Sequence, residues 1–178
     1  GDEALFHYTA KFDGHELNEK TIEVTPAQRK EALAQVKPED WKVIKLAAGR
    51  IEKYHRHQIV RGWSVNDEKG IELGQRVFPL QRVGIYAPGG KAFYPSTLLM
   101  AAIPARLAGV KEIILASPVK EGKLNPLIAA AAEIGGVRRI FKIGGAQSIA
   151  ALAYGTKSIP QVYKIVGPGN AYVAAGKK

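Results

Sequence analysis

The chain has 178 residues, 46% of them hydrophobic, enough to bury the core of one large domain or two small ones. It has no cysteine, which excludes disulfides, thiolate metal sites and a cysteine nucleophile, and suits a reducing cytoplasm. Its formal charge of +10 is uneven: residues 1–80 hold 13 Lys/Arg against 13 Asp/Glu, whereas residues 81–178 hold 13 Lys/Arg against only Glu112, Glu121 and Glu133.

Leu5, Tyr8 and Phe12 recur at spacings of three and four and predict a helix from Asp2 to about Phe12. Thr25, Pro26 and Gln28 together form an N-cap, a proline at the first helical position and a capping box. Pro38 opens a second start, followed by an apolar face of Trp41, Ile44, Ala47, Ala48, Ile51 and His55, a helix of about five turns. After Gly62, the runs Trp63–Val65 and Ile71–Phe78 flank Asn66–Gly70 and predict a hairpin.

The texture changes at residue 82. Four apolar runs follow, Val83–Tyr86, Ile113–Ala116, Ile140–Ile143 and Tyr163–Val166, with starts 30, 27 and 23 residues apart. Helical stretches Ser96–Ala108, Asn125–Ile134 and Ala146–Tyr154 separate them, and another helix starts near Asn170. This alternation predicts a parallel sheet with crossover helices. The runs are continuous in Val and Ile rather than alternating, as in strands covered on both faces. Both ends of the chain fall within helical patterns, so the sequence reads as a fragment.

Several partners are disfavoured. No stretch of 18 uncharged apolar residues exists, so no membrane span is expected. The basic residues are dispersed, and Phe93, Tyr94 and Tyr154 are not interleaved with them, which argues against nucleic acid.

Ligands of parallel α/β sheets gather where strand ends lead into helix N-termini. Three loops there are glycine-rich: Ala87-Pro88-Gly89-Gly90, Gly144-Gly145-Ala146-Gln147 and Gly167-Pro168-Gly169-Asn170. Glycine allows positive φ and lets an anion reach main-chain N–H groups. None of these is the Gly-x-Gly-x-x-Gly fingerprint, and no P-loop occurs. Tyr86 fits a core plug as well as a ligand contact, and Gln147 and Asn170 fit helix caps. The residues alone therefore point to an α/β domain with a phosphate- or nucleotide-binding edge.

Longer motifs sharpen that reading. VGIYAPGG from Val83, YPSTLLM from Tyr94, PAR from Pro104, GGAQSIAALAYGT from Gly144 and KIVGPGNAYV from Lys164 resemble signatures of the histidinol dehydrogenases. The opening GDEAL and KFDG resemble that family's early helix, and the likeness runs nearly end to end.

The resemblance implies NAD-dependent oxidation of L-histidinol to L-histidine through L-histidinal, in the cytoplasm. It implies that Tyr86, Gln147 and Asn170 contact NAD. It implies an α/β, Rossmann-like domain over residues 81–178, preceded over residues 1–80 by the helical part of an incomplete second domain. Helices of that part are then expected to expose apolar faces such as Trp41 and Ile44. It also implies a homodimer, and a zinc ion whose ligands, like the catalytic Glu-His pair, lie outside this chain. His7, His15, His55 and His57 match none of those motifs and read as surface or packing residues. The isolated chain is accordingly expected to bind NAD weakly and to form no product. A non-catalytic module that binds a nucleotide or anion is the alternative.

Overall fold

The computed structural model describes residues 1–88 and 94–177. Helix α1 spans Asp2–Asp13 and ends on Gly14, whose φ of 65° makes a left-handed cap. Helix α2 spans Pro26–Ala34 behind the expected capping box: the Gln28 N–H donates to Thr25 Oγ1 at 3.2 Å, and the Thr25 N–H donates to Gln28 Oε1 at 3.0 Å. Helix α3 runs Pro38–Arg56. Strands β1 (Trp63–Asn66) and β2 (Glu72–Gln75) form the antiparallel hairpin, its turn held by Asp67 Oδ1, which accepts from the N–H groups of Lys69 and Ile71.

Each later apolar run contributes a strand: β3 (Arg82–Tyr86), β4 (Glu112–Ala116), β5 (Arg139–Phe141) and β6 (Lys164–Val166). Between and after them come α4 (Pro95–Leu107), α5 (Pro126–Gly135), α6 (Gly145–Tyr154) and α7 (Ala171–Gly176). All four strands are parallel, in the order β5-β4-β3-β6. The expected α/β architecture with a parallel sheet and flanking helices is thus the one observed.

The continuous apolar runs have a direct cause. Val83, Ile85, Ile113, Leu115 and Ile140 enter the core on the face covered by α2, α3, α4 and α5. Tyr86, Ile114, Ala116 and Phe141 enter the opposite core, covered by α1, α6 and α7. Successive residues alternate between two dry faces, so every position must be apolar. β6 departs from this. It is the sheet's edge, and its Lys164 and Val166 are exposed because no further element packs outside it.

Residues 1–56 are tied into the same cores. Ala32, Val36, Ile44 and Ala48 are buried among residues of α4 and α5, and Leu5 is buried against α6. Residues 22–24 lie antiparallel to the end of β5: Val24 N–H donates to Ile140 O at 2.8 Å, and Lys142 N–H donates to Ile22 O at 2.9 Å. Arg139 then grips Glu23 with two hydrogen bonds of 2.9 and 2.7 Å.

The expected exposure of Trp41 and Ile44 is therefore corrected. Ile44 is only 6% exposed and Trp41 packs on the core, because the apolar stripe of α3 lies against α4 and α5. The opposite face of α3 does expose Val43 and Leu46, and further exposed apolar side chains gather on the hairpin and its flanks, among them Trp63, Val65, Leu73 and Phe78.

Ile44→Ala should destabilise the chain by about 2–4 kcal/mol, since it empties a filled core site. Val43, 64% exposed on the same helix, should tolerate alanine within about 0.5 kcal/mol. Urea unfolding of the two variants measures both; equal effects would mean that α3 is not packed on that face.

Candidate functional site

Adjacent strands β3 and β6 are not consecutive in the chain: β4 and α5 go one way from β3, while β6 returns on its other side. Such a reversal opens a crevice at the carboxyl ends of the strands. A cavity of about 1080 Å³ occupies it, at the upper end of the range for small-molecule sites. Tyr86, Gln147 and Asn170 all line it, together with Phe12, Asp13, Tyr94, Pro118 and Tyr172. The three sequence-nominated residues share one pocket.

Tyr86 is both plug and wall. It is 5% exposed and sits in the core with Ile114 and Ile149, yet its ring edges the cavity. Burial pushes its phenol pKa up, against the Gly145 N–H that hydrogen-bonds its oxygen, and the nearby Asp13 charge pushes it further up. The hydroxyl is therefore neutral at physiological pH.

Gln147 stands in the first turn of α6, an end with no side-chain cap. Gly144 and Gly145 build that end. Gly145 has φ +63°, and a Cβ there would fall 2.4 Å from Gln147 Oε1. A Cβ on Gly144 would lie 3.0 Å from Pro118 and 3.3 Å from Asp13 Oδ2. Glycine at both positions keeps the wall open.

Asn170 caps α7, its Oδ1 accepting from the Val173 N–H at 3.0 Å. With the carbonyl oxygen occupied, its amide NH₂ is left to donate. Gly167 makes the approach possible. Its φ is +135°, and any Cβ would lie 2.0 Å from the Tyr86 carbonyl oxygen, so only glycine lets the chain leaving β6 pass the end of β3. The Lys177 ammonium donates to the Gly167 carbonyl and ties the turn to α7. Gly89 and Gly90 of the first loop lie outside the described residues.

Asp13 is the site residue that sequence reasoning missed. It sits at the last turn of α1, half-buried, and accepts a long 3.5 Å hydrogen bond from Gln147 Nε2. Desolvation raises its carboxyl pKa, partly offset by the Gly144 N–H and the His15 charge. Phe12 and Tyr172, 65% and 75% exposed, offer free ring faces to the same cavity. The Gly14 cap marks where α1 stops, but no local signal says that this end meets α6.

The four histidines lie elsewhere. His7 and His57 are exposed, His15 packs near Gly122, and His55 Nδ1 pairs with Gln58 Oε1 at 2.6 Å. Among the described residues, no three His, Asp or Glu side chains cluster closely enough to hold a metal ion.

Because the folded pKa of Asp13 lies above its unfolded value, the ionised carboxylate weakens the fold at neutral pH. Asp13→Asn should therefore raise the Tm at pH 7. The difference should vanish as pH falls below the unfolded carboxyl pKa, where both side chains are neutral. Thermal melts across pH check the sign, and a lower Tm for the variant at pH 7 would contradict it.

Known proteins share this sequence and this fold. A family model described as histidinol dehydrogenase matches residues 1–178. The histidinol dehydrogenase of Syntrophotalea carbinolica is 54% identical over 178 residues, all of this chain and 41% of the relative. That of Lactococcus lactis is 51% identical over 179 residues, covering 42% of its own length. The crystal structure of histidinol dehydrogenase from Elizabethkingia anophelis superposes with a TM-score of 0.91 at 41% identity, covering 99% of this chain and 40% of that one. The chain thus spans about two fifths of these relatives, and it belongs to the histidinol dehydrogenase family.

Proposed function

We propose that this chain is the NAD-binding portion of an enzyme that oxidises L-histidinol to L-histidine through L-histidinal. The carrying observation is the convergence of Tyr86, Gln147 and Asn170 on one cavity at the switch point of the sheet. NAD supplies a hydride acceptor for each of the two oxidations.

The chain's own residues bind and orient. The neutral Tyr86 closes the floor of the pocket and keeps water from the end of β3. Gln147 and Asn170 present amides from the first turns of two helices, one on each side of Tyr86, to ribose or phosphate oxygens. The exposed rings of Phe12 and Tyr172 offer faces for a base.

Alcohol oxidation also needs a base to take the hydroxyl proton. Among the described residues no metal-ligand cluster is available, so zinc does not fit this part of the protein. We place the zinc ligands, the catalytic base and the substrate-reading residues in the remainder of the whole protein; of residues 1–80, the hairpin and its flanks stand outside the two cores, and we assign them to a domain completed there. The exposed apolar hairpin face is where that remainder or a second subunit of a homodimer would pack. No helix among the described residues is long and apolar enough to cross a membrane, and the cytoplasm remains the proposed location.

Calorimetric titration should give saturable NAD binding to the chain, weakened about tenfold by Gln147→Ala or Asn170→Ala, the scale of one lost polar contact. No heat even at high NAD would favour a non-catalytic module instead. The purified chain should form no NADH from histidinol; measurable formation would overturn the assignment of the chemistry to other segments.

A further inference from the structure

We infer that Asp13 reads the adenosine ribose of the dinucleotide, accepting hydrogen bonds from its hydroxyls and turning away the 2′-phosphate of NADP. This rests on the NAD reading above and adds to it the residue that decides which dinucleotide fits.

Doubly wound dinucleotide-binding folds use a carboxylate to accept from the ribose 2′-hydroxyl, and substitute a cation where a 2′-phosphate must bind. Here the second strand of the parallel sheet, β4, runs into Ser117 and Pro118, and the acid that follows, Glu121, sits in the turn Lys120–Lys123 and does not line the cavity. Asp13 reaches the same place from another element. Its Oδ2 and the Pro118 ring both lie against the Gly144 Cα, at 3.3 and 3.0 Å from the point a Cβ would occupy. The carboxylate is thus set beside the end of β4, on the cavity wall, by the docking of α1 on α6.

The neighbours fit a nucleoside rather than a phosphate. Phe12, next in the chain, presents an exposed ring to the same cavity, and Tyr172 presents another across from α7. A ring face and a carboxylate leaving one helix end side by side match a purine and the sugar attached to it. A ribose diol donates two hydrogen bonds, and a carboxylate is an acceptor-only partner for them. A phosphate ester at the 2′ position removes one donor and brings its own negative charge against Asp13 in a half-buried setting, where repulsion is poorly screened. Among the described residues lining the cavity, Asp13 is the only ionisable group charged at neutral pH.

The test measures affinities of the chain for NAD and NADP, with AMP and adenosine 2′,5′-bisphosphate as the corresponding half-molecules. Wild type should prefer NAD, and AMP should compete while the bisphosphate should not. Asp13→Asn removes the charge without changing shape, and it should lower the NAD-over-NADP preference about tenfold or more, the scale of one charge-assisted hydrogen bond. Asp13→Ala should weaken NAD while leaving NADP unchanged or tighter. A role confined to holding Gln147 would weaken both dinucleotides equally and leave the preference intact; that result overturns the inference while sparing the NAD reading. Wild-type chain that binds neither dinucleotide sinks both. Retained melting cooperativity in both variants shows that the comparison is between folded proteins.

Discussion

The pairing of β3 with β4 on one side and β6 on the other is the constraint from which the site follows. Parallel strands must all point their carboxyl ends to the same edge, and the order β5-β4-β3-β6 sends the chain away from β3 in opposite directions. The turns leaving β5 and β6 then lie on either side of β3 at that edge. What remains between them is the cavity. Its walls demand glycine where neighbours crowd the main chain: Gly167 runs against the Tyr86 carbonyl, and Gly144 against the side chains of Pro118 and Asp13.

The uneven charge of the sequence finds its explanation in how the first segment folds back. Glu19 pairs with Lys157 at 2.8 Å, Glu23 with Arg139 at 2.7 Å and Glu52 with Arg106 at 2.9 Å, while Asp2 Oδ2 accepts from Ser158 Oγ at 2.7 Å. Each acid comes from the electrically neutral segment and each partner from the basic one. The Glu23 and Asp2 contacts are part-buried and the other two exposed, where solvent screens them, so they orient the segment rather than anchor it. The apolar contacts of Ile44, Ala48 and Leu5 supply the attachment.

Much of this was legible in the chain itself. Helix starts announced themselves through Thr25, Pro26 and Gln28, and the sheet through Val and Ile runs that only two-sided burial explains. The glycine-rich turns before α6 and α7 pointed to the crevice, and the motifs around Tyr86, Gln147 and Asn170 nominated three residues that line it. Three things escaped for one reason, that each depends on packing between distant segments. Whether the Trp41 and Ile44 face is covered depends on α4 and α5. The exposure of Val166 depends on β6 being an edge. The place of Asp13 depends on which helix receives α1, and neither the periodicity of Leu5, Tyr8 and Phe12 nor the Gly14 cap specifies a docking partner. Tyr86 shows a different limit: plug and ligand contact were weighed as alternatives, but a residue at the end of a buried strand can be both.

Asp13 also carries a tension between fold and site. A carboxylate that loses hydration on folding opposes stability unless hydrogen bonds replace what water gave, and the Gly144 amide and the long contact to Gln147 replace it only in part. Neutral side chains of the same size would sit more comfortably against Pro118 and the end of α6. Such a residue is understandable if a ligand supplies further hydrogen bonds, since a carboxylate only accepts and a diol placed beside it would donate two. On that view the opposition between fold and site is concentrated at Asp13, whereas Tyr86 is packed from behind and Asn170 is held by its own helix.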